Sequence, residues 1–150
     1  MPTTIAAESL GAEIYREHPV LLAHFRIAEF DSPDQPGSGE LMRSLTLALI
    51  DQARAQAGRP FRINSGYRTP AHNRKVGGVG DSAHTGGWAV DIHAMTDAEK
   101  KAICKALFDV GFRRFGIGKT FVHVDNDPGK KTPAVWVYPG VKKTFDPLAL

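Results

Sequence analysis

The sequence predicts an α+β fold in which a small, mostly antiparallel sheet packs against two main helices. Two segments repeat apolar residues at helical spacing, and several shorter segments alternate apolar and polar residues as strands do. The chain has 150 residues, of which 42% are hydrophobic and 23% are charged. These values are typical of one soluble globular domain, which we expect to span residues 1–150, and they argue against disorder.

The first main helix is predicted over residues 40–57. Its apolar residues recur at helical spacing, and Gly58 and Pro60 then prevent the helix from continuing. Before it we expect a weak helix over residues 3–18 and a short extended segment over residues 25–30. The stripe predicted to face the core consists of Leu41, Leu45, Ala48 and Leu49.

The second main helix is predicted over residues 96–110. Thr96 and Glu99 fit the T-x-x-E capping box, and Gly111 ends the helix. Its buried stripe is Ile103, Ala106, Leu107 and Val110. The remaining elements are a short helix at 70–75 and strands at 61–65, 88–93, 114–117, 121–125 and 134–138.

Charge and cysteine content narrow the function classes. The net charge is +3, but the basic residues are scattered, so we expect no specific nucleic-acid partner. The longest apolar stretches are too short to span a membrane, so no membrane insertion is expected. The single cysteine, Cys104, excludes an intrachain disulfide and a cysteine-rich zinc site, and its surroundings predict a small core residue.

Three potential metal ligands stand out. His84 follows a glycine-rich loop, Asp91 lies seven residues later on a predicted strand, and His123 lies on another predicted strand. Two imidazoles and one carboxylate can hold zinc and leave a fourth position open for water, as a catalytic zinc requires. On spacing alone, surface or hydrogen-bonding residues are the commoner explanation of such a set.

The wider motif resembles a known family. The segment SAHTGGWAVD fits S-x-H-x-x-G-x-A-x-D, with SGYRTP before it and FVHVD after it. Together these resemble the zinc D-Ala-D-Ala carboxypeptidases, a family that includes phage endolysins cleaving the L-Ala-D-Glu bond of peptidoglycan and shares the hedgehog fold. The resemblance implies a zinc peptidase of this fold that acts on the peptide stem of peptidoglycan.

The resemblance also implies roles for individual residues. His84, Asp91 and His123 match the zinc ligands, and Arg68 matches an arginine that contacts the substrate near the scissile bond. Ser82 matches a serine of the substrate site. Tyr67, Trp88, Trp136 and Tyr138 are aromatic residues that could line a groove for the peptide.

The general base is the one departure from the family pattern. Relatives often carry an acidic residue three positions before the last ligand, where this chain has Thr120. The nearest acid is Asp125, which shares a strand face with His123. Two roles are open to it: a base that accepts the proton of water, or a carboxylate that orients a ligand histidine or pairs with Arg68.

We therefore expect a monomeric zinc peptidase, either a carboxypeptidase or an endolysin-type endopeptidase. The first ten residues do not resemble a secretory signal peptide, which predicts synthesis in the cytoplasm and action on the wall after release. A virion-associated hydrolase fits equally. The alternative is a zinc-binding structural or interaction module without activity, which Thr120 keeps open.

Overall fold

The structure is a computed structural model that describes residues 21–150. The expected helix at residues 3–18 lies outside the described part of the chain. The described residues form a five-stranded sheet with strand order β1-β2-β4-β3-β5. The strands are β1 (Ile63–Ser65), β2 (Ala89–His93), β3 (Arg114–Ile117), β4 (Phe121–Asp125) and β5 (Ala134–Val137).

The sheet is mostly antiparallel, as predicted. The pairs β1–β2, β2–β4 and β3–β4 are antiparallel, whereas β5 runs parallel to β3. Two long helices, α1 (Ser44–Ala57) and α3 (Asp97–Asp109), pack against each other, and α3 also contacts β4. The short helix α2 (Pro70–Lys75) lies between β1 and β2 in the sequence. The α+β prediction is therefore confirmed.

Helix α3 begins where the sequence predicts. The Thr96 hydroxyl accepts a hydrogen bond from the Glu99 backbone N–H at 3.1 Å, and the Glu99 carboxylate accepts one from the Thr96 N–H at 3.0 Å. These two bonds satisfy donors that a helix start would otherwise leave unpaired. Cys104 on this helix is fully buried, which confirms its place in the core.

The predicted buried stripe of the first helix was wrong except at Leu49, which is partly buried against the core. Leu45 is 41% exposed, and the helix instead buries Thr46, Leu47, Ile50 and Ala53. Apolar residues occupy so many positions here that several stripes fit the spacing, and packing against α3 selects one of them.

The segment at residues 25–30 was also predicted incorrectly. Instead of an extended piece it contains a 3₁₀-helix at Ile27–Phe30, and a second one follows at Ser38–Leu41. The side chain of Phe30 is fully buried, and the Phe30 carbonyl accepts a hydrogen bond from the Tyr67 N–H at 2.9 Å. This turn therefore packs against the segment that follows β1.

Alternation along the strands gives the sheet one apolar and one polar face. The apolar face meets the helices and carries Val90, Ile92, Phe115, Ile117, Val122 and Val124, all buried in the core. The side chains between them point to the opposite face. No helix among residues 21–150 has the length and apolar character needed to cross a bilayer.

Candidate metal centre and cleft

The polar face of the sheet brings two candidate ligands together. Asp91 on β2 and His123 on β4 are cross-strand partners. His123 Nδ1 lies 3.0 Å from Asp91 Oδ1. Because side chains of directly paired residues point to the same face, the strand register itself fixes this contact.

His84 reaches the same point from a loop. Its backbone carbonyl accepts a hydrogen bond from the Arg68 N–H at 3.2 Å, and its Nδ1–H donates to the Gly66 carbonyl at 2.8 Å. Two bonds thus tie the S-x-H loop to the SGYR segment. The ring is oriented so that His84 Nε2 lies 3.3 Å from Asp91 Oδ1.

A glycine makes the turn after His84 possible. Gly87 has φ +78°, which side-chain-bearing residues rarely adopt, and an added Cβ would lie 2.4 Å from the Leu41 carbonyl oxygen. The chain then enters β2 through Trp88, whose ring lies 4.5 Å from the Arg43 guanidinium. Trp88 therefore packs outside the cleft, although the sequence placed it among the groove residues.

The three side chains fit a metal ion. Their ligand atoms all lie within 4.8 Å of one another, and two of the separations are 3.0 and 3.3 Å. A tetrahedral zinc ion with ligands at about 2.05 Å separates them by roughly 3.3 Å. His84 presents Nε2 to the Asp91 carboxylate while Nδ1 carries the proton, so two acceptor atoms face each other where a cation would bind.

The protonation of the set agrees with this fit. Burial lowers the pKa of His84 and outweighs the opposite effect of Asp91, so the neutral form of the ring is favoured. Burial alone would raise the pKa of Asp91, but its contacts with the two histidines hold it well below the ordinary value. Burial likewise opposes the charge on His123, yet hydrogen bonds to Asp125 and Asp91 raise its pKa. The carboxylates on both sides of His123 therefore favour positive charge at this position.

Asp125 contacts the far side of His123. Its Oδ2 accepts a hydrogen bond from His123 Nε2–H at 2.8 Å, which leaves Nδ1 to face Asp91. Its Oδ1 accepts from Arg114 Nε at 2.7 Å and from the Asp127 N–H at 3.2 Å. Asp125 is only 1% exposed and both of its oxygens are engaged. These are the contacts of an orienting carboxylate, and its partner is Arg114 instead of the suggested Arg68.

Arg68 lies beside the candidate metal ligands. Its NH2 lies 3.3 Å from Asp91 Oδ2, its Nε donates to Ser65 Oγ at 3.1 Å, and its NH1 donates to Asn73 Oδ1 at 3.2 Å. The Asn73 side chain in turn donates to the Val79 carbonyl at 2.7 Å. The guanidinium is therefore held in one place next to the metal centre.

A cleft of about 470 Å³ opens over these residues. It is bordered by residues 76–79 and by Ser82, whose hydroxyl accepts a hydrogen bond from the His84 N–H at 3.2 Å. Trp136 and Tyr138 also line it, as expected for aromatic groove residues. The cleft residues are Arg68, Val76, Gly77, Gly78, Val79, Ser82, Ala83, His84, Asp91, Arg114, Phe121, His123, Asp125, Lys130, Trp136 and Tyr138.

Two residues from the sequence analysis lie elsewhere. Tyr67 packs against the hydrophobic core and is not among the cleft residues. Its neighbour Arg68 turns to the cleft, and consecutive residues of an extended chain point in opposite directions. Thr120 lies in the turn between β3 and β4, outside the cleft, and its carbonyl accepts a hydrogen bond from the Ala94 N–H.

Sequence reasoning missed Arg114 and Lys130. Arg114 is the cross-strand partner of Asp125, and its guanidinium lies 5.2 Å from the centre of the Trp136 ring. That ring lies 5.3 Å from His123, so Arg114 contacts two neighbours of this ligand. Gly116 makes room, because a Cβ there would lie 2.5 Å from Trp136 Nε1. The polar position of Arg114 on an alternating strand was the available signal.

Comparison with protein families gives one match. A family model described as peptidase M15 covers residues 23–125, about two thirds of the chain. The matched region includes His84, Asp91, His123 and Asp125 and ends before β5. No curated protein matches the chain.

Proposed function

Since the chain belongs to the peptidase M15 family, we propose that it is a zinc-dependent peptidase that hydrolyses an amide bond in the peptide stem of peptidoglycan. The observation that carries the proposal is the convergence of His84, Asp91 and His123 in an open cleft beside Arg68. A buried set of two imidazoles and one carboxylate is a ligand set that favours zinc.

Each part of the cleft has a proposed task. Zinc, when bound, supplies a Lewis acid and lowers the pKa of water. Arg68 has five N–H groups, of which Ser65, Asn73 and Asp91 engage three. The others are available to hydrogen-bond the carbonyl oxygen of the substrate amide and to stabilise negative charge that develops there. Ser82 lines the wall on which the peptide would lie.

The role of Asp125 is open to a direct test. The engagement of both oxygens supports the orienting role. The base role instead requires a carboxylate oxygen that can take a proton from water. An orienting Asp125 predicts that Asp125→Asn weakens zinc binding, whereas a pure base predicts lost turnover with unchanged zinc binding.

We further propose that the enzyme is a phage or prophage lysin, or another cell-wall hydrolase, that works on the wall after release. The bond cut is either D-Ala-D-Ala or L-Ala-D-Glu, because the same ligand set serves both reactions. Purified protein would be incubated with peptidoglycan from a Gram-negative wall, with chelator, and with zinc restored, and the muropeptides analysed by mass spectrometry. Loss of terminal D-Ala identifies a carboxypeptidase, and release of stem peptides at L-Ala identifies an endopeptidase.

Matched variants sharpen this experiment. His84→Ala should abolish cleavage, whereas His72→Ala removes an imidazole on α2 outside the cleft and should leave cleavage intact. Activity that persists in chelator would refute the zinc mechanism.

A non-catalytic zinc-binding module is the second candidate. Among residues 21–150, the cleft carboxylates are Asp91 and Asp125, and neither has an unengaged oxygen. This alternative is consistent with a site in which no carboxylate oxygen is available to accept a proton from water. Zinc-loaded protein that leaves every muropeptide intact would favour it.

A further inference from the structure

The cations of the cleft differ in how firmly they are held. Arg68 and Arg114 are each paired with a buried carboxylate, Asp91 and Asp125 respectively. The third cleft cation, Lys130, is paired with Asp81, whose side chain is 86% exposed. An ion pair with an exposed partner contributes little, because water and salt compete with it. Of the three cations, Lys130 can therefore exchange its present partner for an anionic ligand at the lowest cost.

The position of Lys130 suits a ligand in the cleft. Its side chain is only 19% exposed and lines the same cleft as the metal ligands. Its Nζ lies 3.1 Å from Asp81 Oδ2. Asp81 precedes Ser82 on the loop that carries His84, so this ion pair joins the two loops that border the cleft.

The net charge of the lining favours an anion. Three cationic side chains and two carboxylates line the cleft, so the lining carries an excess of positive charge, which Asp81 offsets while it pairs with Lys130. A divalent ion would increase this excess. A concave site of one sign raises the local concentration of ligands of the opposite sign.

We infer that Lys130 binds a carboxylate of the substrate, and that Asp81 holds this position in the free protein until the substrate displaces it. The inference rests on the proposed function and names its substrate class: stem peptides with a free carboxylate near the scissile bond, in preference to neutral peptides. In peptidoglycan this carboxylate belongs either to a terminal D-Ala or to the α-carbon of D-Glu.

Binding of matched peptides tests the inference. Stem peptides would be made with the scissile amide N-methylated, so that they resist hydrolysis. One pair carries the terminal carboxylate or its carboxamide, and a second pair carries the D-Glu α-carboxylate or its carboxamide. Dissociation constants would be measured by calorimetry with zinc-loaded protein. We expect wild type to bind one acid roughly five- to tenfold more tightly than its amide, and the responding pair identifies the carboxylate.

Three variants separate the contributions. Lys130→Met keeps most of the side-chain volume and should bind acid and amide equally. Asp81→Asn removes the competing carboxylate and should bind the acid more tightly while leaving the amide unchanged. Lys131→Met is the matched control, because it removes a charge from the adjacent, exposed residue outside the cleft lining.

The outcomes distinguish this inference from the proposed function. If Lys130→Met keeps the acid preference of wild type, or if Asp81→Asn leaves acid binding unchanged, the inference is overturned while cleavage of muropeptides still supports a peptidase. If no peptide binds and no muropeptide is cleaved, both proposals are overturned.

Discussion

Replacing Asp125 by asparagine should weaken zinc binding without disturbing the fold. The carboxylate receives three hydrogen bonds, from His123 Nε2, Arg114 Nε and the Asp127 N–H. Asparagine has the same shape, but one end of its side chain is a donor. If that end faces Arg114, the asparagine N–H and the Arg114 Nε–H are both donors, and no hydrogen bond can form between them. If it faces His123, the ring must carry its proton on Nδ1, the atom needed by the metal.

The expected magnitude follows from how directly Asp125 acts on His123. Both residues are at most 6% exposed, so water does not easily replace the lost hydrogen bond. Loss of a carboxylate behind a metal-binding histidine typically costs 10- to 100-fold in metal affinity. That range corresponds to about 1.4–2.8 kcal/mol.

Zinc affinity would be measured by competition with a chromophoric chelator at pH 7.5. Asp127→Asn is the matched control, since it removes a carboxylate two residues away whose Oδ1 accepts a hydrogen bond from the exposed Gly129 N–H and does not contact His123 among the described residues. Arg114→Gln should show part of the same loss, and its effect should not add to that of Asp125→Asn. Unchanged zinc affinity in Asp125→Asn would refute the orienting role.

Four further outcomes are expected. Chelator should lower the melting temperature and zinc should restore it, because metal bound only by the folded chain stabilises it. Thr96→Ala should cost about 1 kcal/mol of unfolding free energy by removing the cap shared with Glu99. Gly116→Ala should displace Trp136 and weaken zinc binding several-fold, since the added Cβ would lie 2.5 Å from the indole nitrogen. Because burial raises the pKa of Cys104 to about 12, its thiol should react with a disulfide reagent at pH 8 only in denaturant.

A simple result would contradict each of these four predictions. A melting temperature that is the same with and without chelator would argue against a bound metal. A denaturation midpoint of Thr96→Ala equal to that of wild type would show that the cap does not stabilise the fold. Gly80→Ala is the control for Gly116→Ala, because a Cβ at Gly80 meets no atom within 4 Å. Fast labelling of native Cys104 would contradict its burial.

The elements most accurately predicted from sequence are those whose pattern is local. Strands at 114–117 and 121–125 match β3 and β4, because buried apolar residues recur at every second position, Phe115 and Ile117 in one strand and Val122 and Val124 in the other. The N-terminal cap of α3 was predicted equally well, since Thr96 and Glu99 make both hydrogen bonds within one helical turn. The buried face of α1 was not predicted correctly, because it is set by packing against α3, which is distant in sequence.

The candidate site divides in the same way. The motif picked out His84, Asp91 and His123, which the structure brings together. It did not predict that Asp125 would bond to Arg114, because the pairing depends on the register of β3 against β4. Nor could it relate Lys130 to Asp81, which lies 49 residues earlier on another loop.

The fold holds the two parts of the candidate metal centre in different ways. Asp91 and His123 belong to adjacent central strands, so the hydrogen bonds of the sheet fix the separation of their backbones. His84 is anchored by its bonds to Gly66 and Arg68, which can break while every strand stays paired. One part is therefore held by the sheet and the other by the hydrogen bonds of a loop. We expect a bound metal ion to exchange through movement of the His84 loop, at a rate set by how often these two hydrogen bonds break.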